Sequence, residues 1–336
     1  MIKIFKIFFF STLMMGTFIV MSAYSWFNMW IGLEINLLSI IPLMKSHLSI
    51  YPAEASLKYF IVQALASTII LFSIILMLNS SDYVPTISNF WLMMILNSGL
   101  LTKLGAAPFH VWFPEVMEGL NWMNCLILLT WQKIAPMILI MYNLSTLSII
   151  NFTIIFSSLI GSLMGLNQTS LRKIMAYSSI NHIGWMIAGM LNFKMIWFIY
   201  FIIYSLTSIN LIILFENLKS YYLPQLLQVL NQNKLIKLFF MMNFFSLGGL
   251  PPFLGFLPKW MVINNLISNS FYSLSFILII LTLVTLYYYI RISFSSLTIL
   301  SIETLIKINF SSMIWFFLNI ITLLSLTLCT MIFNYL

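Results

Sequence analysis

The chain is 336 residues long, 62% hydrophobic and only 7% charged, with a formal net charge of +8. A soluble domain has roughly 25% charged residues, so this chain could not cover its own surface in water and its solvent is a bilayer. The positive charge forms no basic stripe on a polar face of the kind nucleic acid needs. The two cysteines, Cys125 and Cys329, lie inside apolar runs, so no disulfide framework or metal cluster is implied.

A helix needs about 20 apolar residues to cross the hydrocarbon core. On that template spans are expected at 3–22, 25–44, 57–78, 88–118, 122–142, 147–166, 171–190, 195–216, 237–260, 271–291 and 311–334. The reading is an all-α polytopic membrane protein of about eleven transmembrane helices in one domain. The first span follows Lys3 and Lys6 and superficially resembles a signal peptide. No convincing small-x-small cleavage site follows it, so it reads as a retained helix. The fourth span is too long for one crossing and the ninth contains Pro251 and Pro252 side by side, so both are expected to be interrupted. The longest polar connection runs from Lys219 to about Lys234 and leaves no room for a soluble domain. Heavy use of Ile, Phe, Met, Asn and Ser, and the lack of an Arg-rich presequence, fit an AT-rich organellar genome.

Basic residues gather on one side of a membrane protein, which tests the count. With eleven spans the N-terminal face carries Lys3, Lys6, Lys45, Lys58, Arg172, Lys173, Lys219, Lys234, Lys237, Arg291 and Lys307. The opposite face carries only Lys194, while Lys103, Lys133 and Lys259 lie within spans or at their edges. One helix more or fewer midway would scramble this asymmetry. The N-terminus is therefore expected on the positive side and the C-terminus opposite.

Two segments resemble each other at a constant offset of 144 residues. Gly105 pairs with Gly249, Pro108 with Pro252, Phe109 with Phe253, Pro114 with Pro258 and Met117 with Met261. They fall in spans four and nine, an odd number of crossings apart, so the copies would run in opposite directions. That is the pattern of transporters with inverted repeats, broken helices and a site near the midplane. The repeats would cover about 1–142 and 147–291, with a C-terminal helix at about 311–334. The other reading is two unrelated helix ends that share Gly and Pro. A break leaves backbone groups unpaired, which a membrane tolerates only against protein or a wet cavity.

Several charges fall at mid-membrane. Glu34 lies halfway through the second span, and Lys103 just before the break in the fourth. Lys133 lies eleven residues past Trp122, about 16 Å along a helix. Each such charge costs roughly 2.5–3.5 kcal/mol on insertion scales, too much in sum for idle groups. Lysine suits switching, because burial lowers its pKa and a nearby carboxylate raises it again, whereas arginine stays charged. Snorkelling is the other reading for Lys103 and Lys259, and a structural ion pair for Glu34. Glu34 and Lys103 can also form a pair whose making and breaking moves protons. His182, with Ser178 at i−4, is a relay candidate or a structural hydrogen-bonded histidine. His110, at the first break, either relays protons or satisfies freed carbonyls. His47 and Glu54 are expected solvated in a loop, and Glu115 and Glu118 interfacial. Asn36, Gln63, Asn97, Gln132, Ser208, Asn210 and Asn243 either line a water wire or hold helices together. With no Walker loop, dinucleotide fingerprint, Cys cluster or haem histidine pair, no cofactor is expected in this chain.

The stretch Leu171-Arg172-Lys173-Ile174-Met175-Ala176-Tyr177-Ser178-Ser179-Ile180-Asn181-His182-Ile183-Gly184 and the stretch Leu101-Thr102-Lys103-Leu104-Gly105-Ala106-Ala107-Pro108-Phe109-His110-Val111-Trp112 carry a family resemblance. They resemble motifs of the antiporter-like membrane subunits of NADH–ubiquinone oxidoreductase (respiratory complex I). The resemblance spans the whole chain and is nearest to the short mitochondrial members of animals, of the insect kind. It implies a multi-pass subunit of the mitochondrial inner membrane, its N-terminus in the matrix and its C-terminus in the intermembrane space. It implies proton translocation coupled to electron transfer in other subunits, with NAD, FMN, iron–sulfur clusters and ubiquinone held elsewhere. It carries the family's glutamate onto Glu34 and its channel lysines onto Lys103, Lys133 and Lys259, the last by a weaker motif match. Chains 4 and 4L and membrane lipids are the implied neighbours. Longer relatives carry extra N-terminal helices, so another subunit or lipid is expected on the surface open here. Two rivals stand beside this reading: a free-standing cation/proton antiporter, and a structural scaffold that does not pump.

Overall fold

The computed structural model describes residues 2–45, 50–80, 86–230 and 234–298, together with Phe317, Asn319, Ile320 and Thr322. Among these residues regular structure is helical, apart from one isolated bridge between Ser170 and Tyr222. In chain order the helices are α1 (Ile2–Ser22), α2 (Trp26–Met44), α3 (Tyr51–Ser80), α4 (Thr86–Leu104), α5 (Trp112–Gly119), α6 (Trp122–Leu129), α7 (Trp131–Tyr142) and α8 (Leu147–Leu163). They continue as α9 (Leu171–Met190), α10 (Lys194–Asn217), α11 (Leu223–Leu230), α12 (Lys234–Gly248), α13 (Phe256–Ser268) and α14 (Tyr272–Thr298). Six stretches are each long and apolar enough to cross a membrane: Ile4–Ser22, Trp26–Met44, Tyr51–Asn79, Trp122–Tyr142, Lys194–Asn217 and Tyr272–Leu297. The chain is a multi-pass membrane protein.

Residues 1–153 and 154–336 each form a compact unit. In the first, α1 and α2 lie in close contact because both present glycine. A Cβ on Gly16 would come within 2.6 Å of Asn36 Oδ1, and one on Gly32 within 2.7 Å of Val20 Cγ2. Small residues are how membrane helices approach one another. In the second unit, every residue of α9 except Arg172 and Lys173 is buried. A helix enclosed on all sides is a core helix, and α9 carries His182 through the middle of that core.

Both expected interruptions are present, and they share one hydrogen-bond pattern. Gly105 follows α4 at φ +72°, Gly249 follows α12 at φ +72°, and each break holds a cis X–Pro bond, Ala107–Pro108 or Pro251–Pro252. The Gly105 N–H donates to Thr102 O at 3.1 Å and Ala106 N–H to Leu101 O at 3.1 Å. In the second unit Gly249 N–H donates to Ser246 O at 3.1 Å and Leu250 N–H to Phe245 O at 3.2 Å. These are Schellman C-caps with glycine in the left-handed position. The match continues past the glycine, with Phe109 N–H to Ala106 O and Phe253 N–H to Leu250 O at 2.9 and 2.8 Å.

Two expectations need correction, for Glu54 and for the ninth span, and two features appear that the sequence did not announce. Glu54 lies in the first turn of α3, because that helix begins before the apolar run, and it pairs with Lys58 at 3.1 Å. The span at 122–142 is divided at Thr130, whose φ of −113° and ψ of −73° part α6 from α7; no Gly or Pro marks the spot. The connection after Lys219 holds a short helix, α11, which buries Leu226 and Leu230. The ninth span runs on through α13 to Ser268, past the expected end at 260. His47 lies outside the described residues, as do Lys307, Cys329 and most of the span expected at 311–334.

Candidate functional site

In the first unit α2 brings Glu34 to Lys103, one residue before the end of α4. Glu34 Oε1 is 3.8 Å from Lys103 Nζ, with the lysine side chain 4% exposed and the glutamate 25%. Neither atom makes a hydrogen bond. The two charges attract without sharing a proton, and so can be uncoupled without breaking a hydrogen bond. Burial of Lys103 rules out snorkelling.

The carbonyls freed where α4 ends are met by neutral donors. Trp112 Nε1–H donates to Thr102 O at 3.1 Å, and Gln63 Nε2–H donates to Lys103 O at 3.3 Å. A cavity of about 10 Å³, enough for about one water, is lined by Asn36, Tyr59, Gln63, Lys103, Gln132 and Pro136 among others. The Tyr59 hydroxyl donates across this group to Gln132 Oε1 at 3.4 Å. Gln132 immediately precedes Lys133, so the polar lining connects Lys103 to the helix of the next lysine.

Lys133 is 1% exposed, and its Nζ stands 5.9 Å from the centroid of the Phe113 ring on α5. It sits between the Thr130 interruption and Pro136, which lies inside α7. Proline has no N–H to give the carbonyl four residues earlier, so the α-helical ladder is loosened on both sides of this lysine.

Lys259 lies on α13 and is 6% exposed. It turns back into the second break, where Nζ donates to Gly248 O at 2.9 Å and to Leu247 O at 3.5 Å. These are end carbonyls of α12, and a cation is favoured against the negative end of a helix dipole. The face of Trp185 is 5.8 Å away. Gly249 has a φ that favours glycine, and a Cβ there would meet Lys259 Cδ at 2.8 Å and push the flexible end of the lysine aside. The edge-of-span reading for Lys259 is replaced by a buried ammonium that caps a broken helix.

His182 is 4% exposed. Its Nδ1 lies 2.9 Å from the Tyr200 hydroxyl, and its ring is 5.1 Å from that of Tyr204. His110 is only part-buried, with Nδ1 3.3 Å from Pro108 O, beside a carbonyl of the break. Glu115 is exposed and pairs with Lys58 at 3.1 Å. Some of the polar residues are helix glue: Asn97 donates to Asn143 O at 3.0 Å and to Thr146 Oγ1 at 2.6 Å, and Asn243 donates to Asn319 Oδ1 at 2.6 Å.

Sequence reasoning missed Tyr59, Trp112 and the buried tyrosines Tyr200, Tyr204, Tyr288 and Tyr289. Tyr200 and Tyr204 stand four residues apart on α10 and so share a helix face. That spacing, beside a histidine-bearing helix, was the available signal. Among the described residues no group of three or more His, Cys, Asp and Glu could hold a metal ion.

Residues 23–285 match the family described as "NADH:quinone oxidoreductase/Mrp antiporter, TM". The chain is 52% identical over 287 residues to NADH-ubiquinone oxidoreductase chain 2 of Anopheles gambiae, covering 84% of this chain and 83% of the relative. Its fold is similar to a chain of respiratory complex I from Thermus thermophilus, with a TM-score of 0.84 and 22% identity, covering 95% of this chain and 76% of the other. It is also similar to a chain of the Mrp complex from a Dietzia species, with a TM-score of 0.75 and 18% identity, covering 84% of this chain and 58% of the other.

Proposed function

The chain belongs to the family of NADH–ubiquinone oxidoreductase chain 2, within the NADH:quinone oxidoreductase/Mrp antiporter membrane proteins, and from that premise we propose its working parts. It serves as a membrane-arm subunit of proton-translocating NADH:ubiquinone oxidoreductase. Electron transfer in other subunits shifts a series of buried charges here, and protons cross as those charges re-pair. Glu34 and Lys103 are the coupling pair, Lys133 the central relay, and Lys259 passes the proton towards the exit half; His182 and His110 are secondary relays. NAD, FMN, iron–sulfur clusters and ubiquinone belong to the rest of the assembly, and this chain does no redox chemistry itself.

The observation that carries this reading is the Glu34–Lys103 pair, 3.8 Å apart with the lysine 4% exposed, at the end of an interrupted helix. A scaffold would lose little by replacing such a pair with apolar side chains, a change that is often neutral or stabilising. A free-standing antiporter is disfavoured by the high identity, over most of the chain, to a named oxidoreductase subunit.

The finer topology is part of the proposal. Eleven crossings, an inverted repeat of residues 1–142 and 147–291 and a last helix at 311–334 are supported by the matched caps at Gly105 and Gly249. The setting is the mitochondrial inner membrane, with the N-terminus in the matrix and the C-terminus in the intermembrane space. Chains 4 and 4L flank the subunit, and lipid or another subunit covers its remaining surface.

The test is Lys133→Met in the assembled complex, identified on a native gel by its NADH dehydrogenase activity. Methionine nearly matches the volume and removes the ammonium. The expected result is a lower ratio of protons moved to electrons transferred, with the complex still assembled. A wild-type ratio would end the role assigned to Lys133.

A further inference from the structure

The two breaks differ in what meets their freed carbonyls. At the second, Leu247 O and Gly248 O accept from the Lys259 ammonium at 3.5 and 2.9 Å. At the first, the carbonyl in the place of Leu247 is that of Lys103, 144 residues earlier, and it accepts from the Gln63 amide at 3.3 Å. A neutral donor thus stands where an ammonium stands at the other break. A lysine near the end of a helix can itself bond to the last carbonyls, and Lys103 is in the last turn of α4. Its ammonium is instead 3.8 Å from Glu34 Oε1.

Gln63 lies on α3 and is 4% exposed. One turn further along that helix, Ser67 O accepts from Trp30 Nε1 at 3.1 Å, and Trp30 stands one turn before Glu34 on α2. α3 therefore holds both the helix that bears the acid and the helix that bears the lysine. Packing already joins α3 to α4: a Cβ on Gly99, one turn before Lys103, would meet Ile70 Cγ1 at 2.6 Å and Ala66 O at 3.2 Å. The amide is not needed to bring those helices together, and burying it carries a cost that its hydrogen bond offsets. What it adds is a filled carbonyl beside the ammonium, for Gln63 and Lys103 line the same cavity of about 10 Å³.

We propose that Gln63 is a positioning residue for the coupling pair: its amide occupies the Lys103 carbonyl and so leaves the Lys103 ammonium to Glu34. The inference rests on the reading of this chain as a proton-translocating subunit. Without the amide the carbonyl is open, and the ammonium gains a second place to go. A cation is favoured at the negative end of a helix dipole, which is where Lys259 lies at the end of α12. A lysine drawn there no longer answers to the charge of Glu34. The two breaks thereby divide their tasks. The first caps its carbonyls with neutral donors and keeps its lysine for an acid, while the second engages its lysine directly.

Gln63→Met nearly keeps the volume and removes the donor. Gln63→Asn keeps an amide but draws it back by one methylene from the carbonyl, and serves if the methionine variant fails to assemble. In the assembled complex either is expected to lower the proton-to-electron ratio. Combination with Glu34→Gln separates positioning from the mere joining of helices. Glu34→Gln alone strands the ammonium and is expected to reduce the amount of complex on a native gel. In the Gln63 background the ammonium has the carbonyl, so the further loss is expected to be smaller, whereas independent sites would give losses that add. Additive losses, or a wild-type ratio in the Gln63 variant, with a lowered ratio in Lys133→Met, overturn the positioning role and leave the function standing. A wild-type ratio in the Gln63 variant and in Lys133→Met alike overturns the function itself.

Discussion

At 3.8 Å the Glu34 and Lys103 charges attract but share no hydrogen bond. Removing one partner of a buried pair typically costs about 3–5 kcal/mol, whereas replacing both is often neutral. Glu34 is a quarter exposed, which lowers the expected cost of Glu34→Gln below that range. Glu34→Gln should therefore reduce the assembled complex, and the double variant Glu34→Gln with Lys103→Met should restore the amount while still failing to pump. Native-gel quantification of wild type, both single variants and the double checks this; a double variant worse than Glu34→Gln would refute the pairing. Both members of the pair were legible in the sequence, because a charge inside an apolar run is conspicuous. The partners of Lys259 were not, since they are backbone carbonyls, which carry no sequence signal of their own. The tyrosines escaped for another reason: a phenol in a membrane helix reads equally as packing or as an interfacial anchor.

The element that organises the charged groups is the broken helix. Its location was legible, because a left-handed residue after a helix calls for glycine and proline cannot continue the helix. The division at Thr130 was not, since it contains neither residue type. The two glycines share φ +72° but differ in surroundings. A Cβ on Gly105 would meet Phe113 and Trp112 side chains at 3.2 and 3.3 Å, whereas on Gly249 it would enter the Lys259 side chain at 2.8 Å. Left-handed backbone costs a residue with a Cβ roughly 1–2 kcal/mol, and that cost is common to both. Gly249→Ala should therefore be the more damaging of the two for proton transfer, because it also displaces the ammonium from the carbonyls of Leu247 and Gly248. Comparing proton-to-electron ratios of Gly105→Ala and Gly249→Ala decides the point; equal ratios would remove the special role of the passage.

On the scale of the whole molecule, contacts within each unit pair the helix ends that the charge asymmetry puts on one face. Lys58, near the start of α3, meets Glu115 of α5 at 3.1 Å. Asn124, at the start of α6, donates to Leu43 O near the end of α2 at 3.1 Å. Leu171 N–H, opening α9, donates to Tyr221 O beyond α10 at 2.9 Å. Each contact agrees with helices that alternate in direction from the first span onward, the pattern in which Lys194 alone among the loop lysines and arginines faces away. α10 makes this testable on a single element. It runs from Lys194 to Asn217, and 24 helical residues are about 36 Å long, enough to cross a core of about 30 Å. Lys194 opens that helix and Lys219 stands just beyond its end; both are exposed. A membrane-impermeant amine reagent applied to sealed inner-membrane vesicles of known sidedness should modify Lys219 and Lys234 from the matrix side only, and Lys194 from the other side only. Mass spectrometry of the recovered chain reads the sites. Labelling of Lys194 and Lys219 from one side would mean that α10 does not cross, and the odd count, the inverted repeat and the assigned faces of both termini would fall together.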